Sequence, residues 1–192
     1  MITDYYVMRK NKLIFWFIGW FIVMLLIGYL TQPDVYPSKL DIISFETSES
    51  AELYFKNVRA FYYEMSTEGE GVFDAYRLSA SLDEKVDASL VFVIYNNWRH
   101  NLAFIRIDTN KLDNKRIDHL VSLSAEGKID TLLLPEPLNE SQYTFAKDVY
   151  LAAQSKNRIA LITQNDSLWI SESDAVNLRK TLRDYFKLID KL

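Results

Sequence analysis

The chain has 192 residues, no cysteine and a formal net charge of −4 at neutral pH. An acidic chain of this kind is not expected to bind nucleic acid, which selects basic surfaces. Without cysteine, disulfides, thiolate metal sites and cysteine nucleophiles are excluded.

The first predicted element is the apolar run at residues 13–30, LIFWFIGWFIVMLLIGYL, which contains neither a charge nor a proline. At about 1.5 Å per residue a helix of this length covers roughly 27 Å, close to the hydrocarbon thickness of a bilayer. The pattern therefore predicts a transmembrane helix that contacts the lipid bilayer. A cleaved signal peptide is the alternative, but residues 27–31 offer no A-x-A-like cleavage site.

Basic residues precede this run, since Arg9, Lys10 and Lys12 all lie on its N-terminal side. The positive-inside rule then predicts a cytoplasmic arm at residues 1–12 and a single pass through the cell membrane. Residues 31–39 contain two prolines and read as a stiff spacer. Residues 40–192 are expected to form one periplasmic or extracellular domain.

In the first part of this domain the hydrophobic period is ambiguous. Residues 40–45 predict a strand. Residues 50–65 fit both a strand and a helix, and their aromatic content favours a β-hairpin with residues 72–78 across a glycine-containing turn. Residues 89–95 and 102–107 are β-branched or aromatic runs around a polar loop, and predict a second hairpin.

The later elements alternate in type. Residues 116–124 are predicted to be helical and residues 129–134 to form a buried strand. Asn139 and Gln142 have the spacing of a capping box, which predicts a helix from there to about Ser155. Residues 158–163 and 167–170 predict another hairpin.

The last predicted element is an amphipathic helix capped by Ser171 or Ser173. Its apolar residues step by three and four positions, which places them on one face. They are Leu178, Leu182, Tyr185, Ile189 and Leu192. The predicted fold class is therefore α+β, with one N-terminal transmembrane helix and a single mixed domain that contains antiparallel hairpins and a C-terminal amphipathic helix.

No catalytic motif is present in the sequence. The histidines are His100 and His119, and there is no H-E-x-x-H, G-x-S-x-G, P-loop or G-x-G-x-x-G pattern. We therefore expect neither an enzyme nor a bound metal or cofactor.

The candidate binding residues are Asn97, Trp98, Arg99 and His100, in the loop between the two strands of the second hairpin. An indole, a guanidinium and an amide in one loop suit hydrogen bonding and stacking against a protein or a sugar. The structural alternative is that Trp98 folds back over the sheet while the asparagines adopt turn conformations.

These features predict an accessory or assembly subunit of a membrane complex, which acts by protein binding to other membrane or envelope proteins. The alternative is an extracytoplasmic ligand-binding or sensory module, which needs a pocket with convergent polar groups.

Overall fold

The computed structural model describes residues 16–17, 19–24, 39–82, 90–108, 117–163 and 166–192. The chain divides into two compact units, Met1–Tyr36 and Pro37–Leu192. All elements labelled below belong to the second unit.

The predicted transmembrane helix at residues 13–30 is contradicted. Within the described residues no helix has both the length and the apolar character needed to cross a bilayer. The helical residues described in that run are Trp16, Phe17 and 19–24, and the rest of it lies outside the described residues, as do residues 1–12 and 31–38. The predictions of a signal anchor and of a single-pass location in the cell membrane are corrected on the same finding.

The described strands form two antiparallel sheets of four strands each. The first is a meander in chain order: β1 (Tyr63–Glu68), β2 (Phe73–Leu78), β3 (Phe92–Asn97) and β4 (Leu102–Ile107). The second has the order β6-β5-β7-β8: β5 (Ile117–Leu123), β6 (Ile129–Leu133), β7 (Arg158–Thr163) and β8 (Ser167–Trp169). The predicted fold class is therefore corrected to two antiparallel sheets with α-helices.

The ambiguous segment at residues 50–65 is helical up to Tyr62, so the hairpin prediction is wrong for most of it. Helix α1 (Glu49–Tyr54) continues into a π-helical turn (Phe55–Arg59) and a 3-10 turn (Ala60–Tyr62). The Ser48 hydroxyl caps α1 by accepting a hydrogen bond from the Ala51 N–H at 3.3 Å. Both hydrophobic periods fit this sequence, so the cap and the burial of Phe55 decide between them.

The hairpin of β3 and β4 is confirmed, with Asn97 opposite Leu102. The predicted strand at residues 40–45 is absent. The chain there follows the edge of β4 instead, where the Ala103 N–H donates to the Phe45 carbonyl at 2.8 Å and the Thr47 N–H donates to the Asn101 carbonyl at 2.9 Å. This contact places the start of α1 beside the β3–β4 loop.

Strand β5 corrects the predicted helix at residues 116–124. It pairs with β6 on one side and β7 on the other, and Leu120 on its inner face is fully buried. A central strand has both of its backbone edges paired, which stabilises it irrespective of its weak helical pattern. The strand predicted at residues 129–134 is present as β6, but it lies at the edge of the sheet and is not buried.

Helix α2 (Asn139–Gln154) forms as predicted, but the predicted capping box does not. The N-cap residue is Leu138, which makes no side-chain capping bond. Gln142 is buried instead: its Oε1 accepts from the Ile107 N–H at 3.3 Å and its Nε2 donates to the Glu136 carbonyl at 3.1 Å. The first bond joins α2 to β4, and the second joins α2 to the segment that precedes it.

Helix α3 (Glu172–Leu188) begins at the predicted cap, because the Ser171 hydroxyl accepts from the Asp174 N–H at 3.1 Å. Its predicted apolar face is buried at Leu178, Leu182, Tyr185 and Ile189. α3 packs against α2 and the first sheet, and α2 also contacts β6 and β7 of the second sheet. The two helices therefore connect the cores of both sheets.

Candidate protein-binding surface

The four predicted binding residues lie at the end of β3 and in the loop that leads to β4, and they differ in exposure. Asn97 is buried and builds the turn, since its Oδ1 accepts from the Arg99 N–H at 3.2 Å and its carbonyl from the His100 N–H at 3.1 Å. Arg99 and His100 are exposed. Of the predicted residues, these two offer free side chains to a partner.

Trp98 folds back onto the first sheet and is half-buried. Its Nε1 donates to the Asp74 carboxylate at 2.7 Å. The centroid of its ring lies 6.5 Å from that of Phe55 and 6.4 Å from that of Tyr76. The structural alternative therefore describes Trp98 better than an exposed contact does.

We expect Trp98→Ala to lower the free energy of unfolding by about 1–3 kcal/mol, because it removes half-buried ring contacts and one hydrogen bond to a carboxylate. Arg99→Ala is the matched control on the neighbouring exposed position and should change stability by less than about 0.5 kcal/mol. Urea denaturation of both variants measures the difference. Equal stabilities would show that the indole does not support the fold.

Trp98 and Phe55 connect this loop to the most exposed apolar segment described in the domain. From the end of α1 to the start of β1, six side chains are at least two-fifths exposed, and we call them the aromatic surface: Leu53, Tyr54, Val58, Phe61, Tyr62 and Met65. Phe61 is 81% exposed, which is the largest exposed fraction among the large apolar side chains described in the domain. Several large apolar side chains left in water along one segment of the chain are typical of an interaction site.

Cations lie against two rings of the aromatic surface. The Arg59 guanidinium is 4.9 Å and the Lys180 ammonium 4.4 Å from the centroid of the Tyr62 ring. The Lys187 ammonium is 5.8 Å from the centroid of the Tyr54 ring. Cation–π contacts of this kind hold the rings in place and place two lysine ammonium groups beside them.

A buried ion pair attaches this segment to α3. Arg59 Nε lies 2.9 Å from both carboxylate oxygens of Asp184, and its Nη2 lies 2.7 Å from Oδ2. The Tyr63 hydroxyl donates to the same Oδ2 at 2.8 Å. Burial, followed by the Asp184 charge, raises the pKa of the Tyr63 phenol well above its ordinary value, so this donor keeps its proton. Asp184 therefore receives hydrogen bonds from two directions while only 5% exposed.

A second surface feature is an open groove of about 520 Å³ beside β6. Its walls include the edge of β6 around Leu133, the side of α2 that carries Glu140, Thr144 and Asp148, and Ile43. Burial raises the pKa of the Asp148 carboxyl above its ordinary value, and the Asp41 charge adds to this against the opposing effect of Lys147. The groove is not an enclosed pocket of the kind that small-molecule sites use.

The two histidines belong to different sheets. His100 lies in a loop of the first sheet, and His119 lies on β5 of the second. Among the residues that the structure describes, no group of three or more histidine, aspartate or glutamate side chains is arranged to hold a metal ion.

The aromatic surface was missed by the sequence analysis, which assigned its aromatic residues to a hairpin. One signal was available: residues 53–65, LYFKNVRAFYYEM, carry more large apolar side chains than one buried helix face can hold. Comparison with known protein families, curated proteins and solved structures found no match for the chain.

Proposed function

We propose that the protein acts by binding another protein through the aromatic surface, as an accessory or assembly subunit of a complex. The observation that carries this proposal is the 81% exposure of Phe61 within a group of five further exposed apolar side chains. Aromatic residues and arginine dominate the binding energy of protein interfaces, and both are present here.

The anchoring of the segment supports the proposal. The ion pair of Arg59 with Asp184 and the buried Phe55 ring hold the backbone of residues 53–65 against the domain. The exposed rings on this backbone are therefore already positioned before a partner binds. A pre-ordered surface saves part of the conformational entropy that association costs. An exposed apolar segment with no such attachment would support binding less well.

The charges around the rings indicate the chemistry of the partner. Lys180 and Lys187 border the aromatic surface, and Arg99 and His100 lie in the loop that is joined to it through Trp98 and Phe55. A partner with an apolar centre and acidic groups around it would complement this arrangement. The predicted residues Arg99 and His100 then act at the edge of the interface.

A photo-crosslinking amino acid at position 61 tests the proposal in cells. We expect this amino acid to form one discrete covalent adduct with the partner protein. Mass spectrometry of the adduct then identifies that partner. The same amino acid at Trp169, a half-exposed aromatic position on β8, is the matched control and should not give that adduct. Identical adducts at both positions, or none at position 61, would count against the aromatic surface.

With the captured partner purified, we expect Phe61→Ala to weaken binding by about 2 kcal/mol, roughly thirtyfold in Kd, because an exposed aromatic side chain at the centre of an interface is an energetic anchor. Its melting temperature should stay nearly unchanged, since so little of the ring is buried. Calorimetry and thermal melts measure the two quantities, with Trp169→Ala as control. Unaltered affinity would place the contact elsewhere.

A further inference from the structure

The groove beside β6 contains an unpaired strand edge. The Ser124 N–H donates to the Lys128 carbonyl at 2.9 Å, and the register places Ser122 opposite Asp130. Because hydrogen-bonded pairs alternate in an antiparallel ladder, Asp130 and Leu132 bond to β5. The backbone N–H and C=O groups of Ile129, Thr131 and Leu133 therefore face away from the sheet.

These outward groups are available for pairing. None of them makes a hydrogen bond to another part of the described chain, and β6 is the last described strand on its side of the sheet. Ile129 and Leu133 are 65% and 74% exposed. β6 contains no proline, and its pairing with β5 has no β-bulge, so its edge is a template for another extended segment.

The wall of the groove opposite this edge is acidic. Glu140 and Asp148 lie on the side of α2 that lines the groove, and neither carboxylate has a hydrogen-bond or ion-pair partner among the described residues. Lys147, which precedes Asp148 in the chain, pairs with Asp41 at 3.1 Å. The groove thus presents negative charge on one side and backbone donors and acceptors on the other.

We propose that the groove binds an extended, cationic segment of a partner protein, which adds to the second sheet as a strand next to β6. Alternate side chains of an added strand point to opposite faces. One set faces Glu140 and Asp148, which favours lysine or arginine. The other set lies beside Ile129 and Leu133, which favours β-branched apolar residues.

A short fluorescent peptide of alternating valine and lysine is the probe, and fluorescence anisotropy with the full chain measures its binding. We expect saturable binding, whereas a peptide of alternating valine and glutamate should bind at least roughly tenfold more weakly because it faces Glu140 and Asp148. Asp148→Asn should weaken the lysine peptide roughly threefold. Equal affinity for both peptides would overturn the charge argument.

Strand addition itself is tested at Thr131. Thr131→Pro removes one outward N–H, and an exposed edge position tolerates proline, so binding should weaken roughly tenfold. Thr131→Val is the matched control and should bind as the unaltered protein does. Unchanged affinity of a folded Thr131→Pro variant would show that the peptide does not pair with β6.

Hydrogen exchange gives a readout that needs no variant. The amides of Thr131 and Leu133 should become protected when the peptide is added to the unaltered protein. Protection that instead rises with protein concentration, without peptide, would assign the edge to a second copy of this chain and overturn the proposal. Peptide binding and hydrogen exchange at β6 are independent of crosslinking at position 61. Failure of the strand-addition proposal would therefore leave the proposal for the aromatic surface unchanged.

Discussion

Leu182→Asp should lower the free energy of unfolding by more than about 4 kcal/mol. Leu182 is fully buried in the middle of the apolar face of α3, where that helix packs against α2 and the first sheet. The substitution removes the apolar contacts of the leucine and places a carboxylate in the buried interior. Urea denaturation followed by circular dichroism measures the loss.

The neighbouring residue provides the control for that prediction. Arg183 follows Leu182 on the same helix but points to solvent. Arg183→Asp should change the free energy of unfolding by less than about 1 kcal/mol, since surface substitutions have small effects. If the two variants were equally destabilised, the docked face of α3 would be misassigned.

Arg59→Ala should lower the free energy of unfolding by about 3–5 kcal/mol, because it leaves the Asp184 carboxylate buried with the Tyr63 hydroxyl alone. The loss exceeds that of a surface ion pair, since Asp184 is only 5% exposed and cannot recover its hydration. The variant should also loosen the π-helical turn, and amide exchange of residues 55–59 would report it.

Removing both charges tests the reason for that loss. The double variant Arg59→Met with Asp184→Leu should recover much of the stability lost in Arg59→Ala, because no isolated charge then stays in the interior. Arg179→Ala, elsewhere on α3, should have little effect, since Arg179 makes no ion pair among the described residues. A double variant as unstable as Arg59→Ala would show that the segment depends on the specific hydrogen bonds and not on charge neutrality.

Features set by nearby residues were predictable from the sequence. The β3–β4 and β7–β8 hairpins follow from apolar runs around polar turns, and each pairs as predicted. Ser171 caps α3 as predicted because N-capping involves residues within one helical turn. The buried face of α3 follows from helical spacing alone.

The position of the candidate loop was predictable, but the role of each of its residues was not. Asn97 and Trp98 belong to the fold, because Asn97 forms the turn and Trp98 meets Asp74, far away in sequence. Arg99 and His100 remain as predicted contact residues. No local pattern distinguishes a tryptophan that packs on its own sheet from one that faces a partner.

Several elements were decided only by the tertiary structure. Residues 50–62 fit both hydrophobic periods, and residues 116–124 were predicted to be helical. In each case the tertiary contacts decide: Phe55 is buried against Tyr76, and β5 is paired on both edges. The run at residues 13–30 predicted a membrane span from composition, and the described helices do not provide one.

The sequence by itself determined the β3–β4 and β7–β8 turns, the α3 cap and the amphipathic spacing of α3, since these depend on interactions between residues close together in the chain. Only the tertiary structure decided which strands share a sheet, where Trp98 packs, and which apolar side chains stay in water. All three depend on contacts between residues that are far apart in the sequence. The ion pair of Arg59 with Asp184 is an example of such a contact. Burial is a property of the assembled fold, so the aromatic surface and the open edge of β6 could be recognised only there.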